Sequence, residues 1–430
     1  MRTEDDLRRS LADAAQRATT GSANARARIG KRVRRQRAWR LGAVAGVVVA
    51  LAAFGIVSIT RPDHRASLRV VSPGPSPSPT AVPGPEPDTG STTSAAAAGA
   101  DAVPAGFAAI SITFVSPKDG FVLGSAPCAS GQCTVILRTD DTGKSWHRIG
   151  APPVVVTNKE NPGTVRAIRF ATLDDGWAYG PDLWATHDGG RHWTKTHVDG
   201  EVEDLETSGG LAHYVVLAPG DPAFRYELAS TPFHSEEWAL SPTTIPKGAA
   251  PVADAQIVLQ GRSGWMVVDD RTVYAGARLT PNGWVSWKPP CLDAFGRAIL
   301  LAPTITNVVA VCREGDWGGQ LPPGTGLYES TDGGDSFRRV ASVPPSPTSA
   351  ASPKPDAVVV GGPGPNGTIG LYASFDRGAT WSLVHSGAVL DLGFTTPMQG
   401  IGLEADGPTG AKHFVLSTDG GHHWRSSPFD

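Results

Sequence analysis

Residues 417–424 read STDGGHHW, and the wording recurs as TDDTGKSW at 139–146, THDGGRHW at 186–193, STDGGDSF at 330–337 and SFDRGATW at 374–381. Each copy places Ser or Thr first, Asp third, Gly fifth and an aromatic ring eighth. That order suits a tight turn between two strands. Asp141, Asp188, Asp332, Asp376 and Asp419 can accept backbone N–H groups inside the turn. The fifth-position glycines supply a positive φ that a Cβ would penalise. The aromatic opens the next strand and packs inward, where truncating a buried ring costs roughly 3–5 kcal/mol. The phrase is a structural device, repeated.

Spacing gives the number of modules. The eighth positions are Trp146, Trp193, Phe337, Trp381 and Trp424, and the interval from Trp193 to Phe337 is three repeat lengths. Two eroded copies fill it: TPFHSEEW at 231–238 and TPNGWVSW at 280–287, with Phe233 and Asn282 where Asp should stand. A second phrase, FVSPKDGF at 114–121, FATLDDGW at 170–177 and FTTPMQGI at 394–401, reads as the first strand, turn and second strand of a module. Modules of this length cannot bury their own apolar faces, and a radial array of four-stranded blades solves that problem. The expectation is an all-β, seven-bladed β-propeller over residues 105–430. How its ring closes is left open.

The N-terminal region has a different composition. Residues 1–40 carry twelve Lys and Arg against four acids, and 41–60, LGAVAGVVVALAAFGIVSIT, contain no charge. Twenty apolar residues span a bilayer as a helix, and the preceding positive charge keeps the N-terminus cytoplasmic. Residues 61–104 hold nine prolines among Ser, Thr, Gly and Ala, the composition of an extended stalk. The chain is therefore expected to be a single-pass membrane protein with a basic cytoplasmic tail, an uncleaved signal anchor and an extracytoplasmic propeller. Beyond position 40 there are 26 basic and 37 acidic residues, a balance that argues against nucleic acid as a partner.

All four cysteines fall in the propeller, an even number suited to an oxidising compartment. Three pairings are possible. If the repeated phrase joins third and fourth strands on the lower face, Cys128 and Cys133 flank one upper loop. Cys291 and Cys312 then both sit at upper ends of the fifth blade. The expected disulfides are Cys128–Cys133 and Cys291–Cys312.

The octapeptide resembles the Asp-box, or BNR, repeat of the sialidase-like propellers, and the combined wording is most similar to the branch related to photosystem II assembly and stability factors. The resemblance implies the fold and does not imply an activity, since in that superfamily the Asp-box lies away from the substrate face. The first blade opens FAAISITFV, without the arginine that sialidases place there. Arg166, Arg169 and Arg297 could form only a different clamp, and Tyr372 falls on a third strand. No catalytic residue is assigned. The reading is a non-catalytic binding or assembly module for extracytoplasmic protein or glycan, with a glycoside hydrolase of nonstandard site as the alternative. The oligomeric state is left open.

Propellers bind through the upper face and channel mouth, where loops converge. The loop REGDWGGQLPPGTG at 313–326 offers Arg313, Glu314, Asp316 and Trp317, and the loop before 228 offers Phe224, Arg225 and Tyr226. Arg166, Glu203, Asp254, Arg297, Asp356 and Asp391 are expected on inner strands along the channel. His187, His192, His422 and His423 occupy the variable positions of exposed turns and are read as solvated. No metal and no cofactor is expected. The Pro-rich segment 342–356 is read as a flexible insertion between blades.

Overall fold

The computed structural model describes residues 101–129, 131–157, 163–219, 224–246, 254–269, 272–292, 298–314, 324–344, 346–405 and 411–429. The basic tail, the apolar span 41–60 and nearly all of the stalk lie outside them. Among the described residues, no helix is long and apolar enough to cross a membrane. Residues 101–104, assigned above to the stalk, belong with the first blade: Val103 packs on its core and Asp101 O accepts the Arg148 N–H at 2.7 Å.

Seven antiparallel four-stranded blades follow one another along the chain. Their first strands are Ala108–Phe114, Ala167–Phe170, Glu201–Ser208, Asp254–Gln260, Ala298–Leu301, Ser349–Lys354 and Ala388–Phe394. Each blade consists of consecutive strands, and among the described residues no blade borrows a strand from the other end of the chain. The seventh blade meets the first by packing, by the backbone bridge Ala109–Ala411 and by side-chain hydrogen bonds of Asp391 and Gln399.

The core is a ring of seven apolar clusters, each shared by two adjacent blades. Strand alternation produces it, because successive side chains leave opposite faces of a sheet. In the strand Leu211–Ala218, Tyr214 and Val216 point to the second blade while Val215 and Leu217 point to the fourth. Between the seventh and first blades the cluster is aromatic: Phe107 meets Phe429 edge to face at 5.4 Å, and Trp146 meets Phe414 at 5.7 Å.

The octapeptide turns join third to fourth strands, as the sequence implied. In the first of them the Thr139 hydroxyl takes the Gly143 N–H at 2.9 Å and donates to Asp141 at 2.8 Å, and Asp141 accepts N–H groups from Lys144 and Ser145. The seventh position, treated above as variable, also has a fixed job. Ser145, His192, Ser336, Thr380 and His423 each place a side-chain donor 2.6–2.7 Å from the turn's Asp. The turn also grips the preceding blade. A Cβ on Gly143 (φ 75°) would stand 2.5 Å from the Phe414 ring, and one on Gly378 (φ 86°) 2.6 Å from Ala341 Cβ. Trp193 and Trp381 donate their indole N–H to Gly150 O and Ser342 O, carbonyls that follow or end the outer strand of the blade before.

The segment 342–356 corrects its sequence reading. Ser349–Lys354 is the innermost strand of the sixth blade, and Val343 is buried with its N–H bonded to Thr325 O at 2.9 Å. Pro353 falls in the irregular register between Ala351 and Lys354, where proline costs no ladder bond. Ala350 and Ala351 are small enough for the crowded centre. Proline content alone suggested a linker; the structure instead pairs Ser349, Ala350 and Ala351 with Gly361, Val360 and Val359.

Candidate ligand site at the upper mouth of the channel

First strands from all seven blades line the channel, and four of them take a backbone N–H of the next blade with a polar side chain. The Ser111 hydroxyl accepts the Ile168 N–H at 3.2 Å, Asp204 the Ile257 N–H at 2.8 Å, Gln256 the Leu300 N–H at 2.9 Å, and Asp391 the Ile112 N–H at 2.6 Å. In each case the donor belongs to the following blade. Bulged register precedes Ser111 and Asp204 and includes Asp391. A bulge re-aims the side chain beside it, and here it turns these groups along the circumference. Asp391 has φ 49°, a left-handed conformation that Asp and Asn tolerate.

Beneath this belt Arg169 pairs with Glu206 of the third blade, and the Tyr179 hydroxyl donates to Asp204 at 3.3 Å. Burial pushes the Glu206 carboxyl up to about 7, against the attraction of Arg169 and with help from Asp204. Burial likewise raises Asp204 and Asp391, although both accept backbone N–H groups and feel Arg169. The lower channel encloses about 290 Å³.

Above the belt the channel widens to about 830 Å³. Its wall includes Glu203, Asp204, Asp254, Asp269 and Asp391, with Arg313 as its cation among the described lining residues. These come from the third, fourth, fifth and seventh blades, so the mouth is strongly acidic. The loops around it are on the face that carries both disulfides, Cys128–Cys133 and Cys291–Cys312, with Cα separations of 5.8 and 5.9 Å. Both expected pairings are formed, and the second fixes the strand Val308–Glu314, which carries Arg313.

The residues singled out in the sequence are thus sorted. Arg313 and Asp254 meet at the mouth. Arg166 stands next to it, donating to Glu203 O at 2.7 Å and facing the Glu203 carboxylate at 3.2 Å. Glu314 turns outward instead: Arg339 holds it through two hydrogen bonds at 2.6 and 2.9 Å, Tyr328 adds a third, and the Arg339 bonds lower its pKa against burial. Arg225 pairs with Glu227 two residues along its own strand, at 2.5 Å. Tyr226 is 1 % exposed and belongs to the core between the third and fourth blades, so it is a packing residue. Asp356 lies on the opposite end of its blade, in the first turn, facing Lys354 at 3.4 Å. Asp316, Trp317 and Arg297 lie outside the described residues.

Sequence reading missed Asp204, Glu206, Gln256 and Asp269. Asp269 had a readable signal, the first of two acids that follow the apolar run WMVV. Asp204 and Gln256 each precede an aliphatic residue on a first strand, as Ser111 and Asp391 do, and that shared dipeptide pattern was the signal available.

The fold and the mouth define a seven-bladed β-propeller with an acidic upper cavity. No family model matches the chain, and no curated protein does. Among solved structures it is similar to YCF48 bound to D1 peptide, at 15% identity over 74% of this chain and 93% of that one, with a TM-score of 0.47. It is also similar to the GH74 enzyme of Niastella koreensis, at 11% identity over 74% and 65%, TM-score 0.43. The β-propeller domain of the Trilobed protease from Pyrococcus furiosus matches at 8% identity over 74% and 97%, TM-score 0.47. Likeness at this level says nothing about activity.

Proposed function

We propose that the chain is a membrane-anchored, extracytoplasmic binding module that takes a basic segment of a protein partner into the upper mouth of its propeller. One observation carries this reading: a cavity of about 830 Å³ whose wall offers five carboxylates from three blades and one arginine. Carboxylates brought together on rigid strand ends create a negative field that favours Lys or Arg side chains. Asp204 and Asp391 are committed to the Ile257 and Ile112 N–H groups and Glu203 to Arg166, which suits them to holding shape. The five octapeptide turns, read as Asp-boxes, sit on the opposite face. Two disulfides are in keeping with an oxidising compartment, and the apolar stretch 41–60 with its basic flank supplies the anchor.

The test is a binding measurement with the full chain in detergent against immobilised peptides rich in Lys and Arg, acidic peptides and neutral glycans. Preference for the basic peptides, weakened by Asp254→Asn and Asp269→Asn and by added salt, is the expected result. Binding indifferent to both changes would remove the mouth from consideration. Hydrolysis of fluorogenic sialosides or other glycosides, abolished by Glu206→Gln, would replace this reading with a glycosidase.

A further inference from the structure

On the lower face, between the second and third blades, three metal-ligating side chains converge. Asp175 closes the first turn of the second blade with its side chain 0% exposed. Its Oδ1 stands 2.9 Å from His187 Nδ1 and 2.7 Å from His234 Nδ1, while Oδ2 accepts the Thr172 hydroxyl at 2.8 Å. His187 is the second residue of the second blade's octapeptide. His234 is the fourth residue of the eroded copy in the third blade, with φ 62°, and its own N–H reaches Asp175 Oδ1 at 3.1 Å.

The hydrogen-bond inventory leaves one buried ring nitrogen unpaired. With both imidazoles donating from Nδ1, Asp175 Oδ1 receives three N–H groups, and His187 Nε2 is left a buried acceptor. That nitrogen has no hydrogen-bond partner, and the Glu236 carboxylate lies 3.9 Å from it. An ion on His187 Nδ1 reverses the arrangement, because Nε2 then carries the proton and donates toward Glu236. Metal-bound histidines characteristically give their second N–H to a carboxylate in this way.

We propose that Asp175, His187 and His234 form a zinc site that ties the second blade to the third, with water in the fourth position and Glu236 supporting His187. The three ligand atoms lie within 4.8 Å of one another. Ligand atoms on a tetrahedral zinc with bonds of about 2.0–2.1 Å are about 3.3 Å apart, so the closest pairs must open by about half an ångström. His234, 67% exposed, can give way, and its exposure admits the water. Two imidazoles with a carboxylate suit Zn²⁺ and its transition-metal neighbours, whereas Ca²⁺ and Mg²⁺ prefer all-oxygen sets. His192 and His423 show the contrast: they are 88% and 89% exposed, and each bonds only the Asp of its own turn. The site stands where the third blade lacks the octapeptide's Asp, and it replaces a lost turn device with a bridge.

Titration calorimetry of Zn²⁺ into the untagged, chelator-treated full chain is expected to show one site, with a raised thermal midpoint that Mg²⁺ and Ca²⁺ do not reproduce. Co²⁺ is expected to give the visible absorption of a four-coordinate ion. His187→Gln and His234→Gln should each weaken binding at least about tenfold, and Glu236→Gln by about 10–100-fold. Because Asp175 is buried and its loss threatens folding, the exposed His234 carries the decisive variant. Absence of saturable binding, or binding unchanged in both His variants, overturns the proposal. So does a midpoint raised by acidification and not by Zn²⁺, which would make the cluster a proton site.

Discussion

Asp391 of the seventh blade accepts the backbone N–H of Ile112 in the first at 2.6 Å, across 279 residues of sequence. The bond joins the polar belt of the channel where the seventh blade meets the first. Asp391→Val would orphan that N–H and force a β-branched residue into a left-handed conformation, at a cost of about 2 kcal/mol or more. Asp391→Asn keeps an acceptor and tolerates the conformation, so its urea midpoint should fall much less.

Strong acid should destabilise the octapeptide turns. His192, chiefly through its N–H, holds the Asp188 carboxyl at about 2, and Thr380, chiefly through its hydroxyl, holds Asp376 at about 2. Burial works against Asp141 and Asp419, yet their turn hydrogen bonds bring both to about 2, and the Ser336 hydroxyl heads the bonds that lower Asp332. A depressed carboxyl contributes stability above its ordinary value of 3.8 that is lost as pH falls toward 2. Thermal midpoints should drop steeply in that window, and Asp188→Asn should make the drop shallower.

Glu206 has the opposite sign. Burial raises it from 4.5 to about 7, so its contribution is fully present below 4.5 and is lost as pH rises through 7. Thermal midpoints should therefore decline across that range in the native chain. Glu206→Gln should flatten the decline, and an unaltered slope would assign it to other groups.

The two disulfides should differ in worth. Removing Cys291–Cys312, which closes 21 residues, should cost about 3 kcal/mol by loop entropy, against about 2 kcal/mol for Cys128–Cys133, which closes 5. Paired Cys→Ala variants compared in urea would measure both. If the mouth is the ligand site, the first pair should also weaken binding, because Arg313 directly follows Cys312.

Legibility in the sequence followed the range of the interactions. The octapeptide was readable because Thr139, Asp141, Gly143 and Ser145 bond one another within one turn. The eroded turns were readable from spacing alone, and this concealed His234, whose partner Asp175 lies 59 residues earlier. The channel belt joins Asp204 to Ile257 and Asp391 to Ile112, neighbours only once the ring has closed. Tyr226 was misplaced because FRYEL alternates, and only register decides which of Arg225 and Tyr226 faces inward. Ser349–Lys354 was hidden by its prolines.

Because no strand is exchanged between the first and last blades, the ring has no privileged starting point. Phe107 and Phe429 touch, so a short peptide could join the propeller's two ends, and new termini could be cut at the joint between any two blades. Each such cut would leave every sheet whole. Circularly permuted versions of this propeller should fold, and comparing them would reveal which blade-to-blade seam the protein can least afford to open.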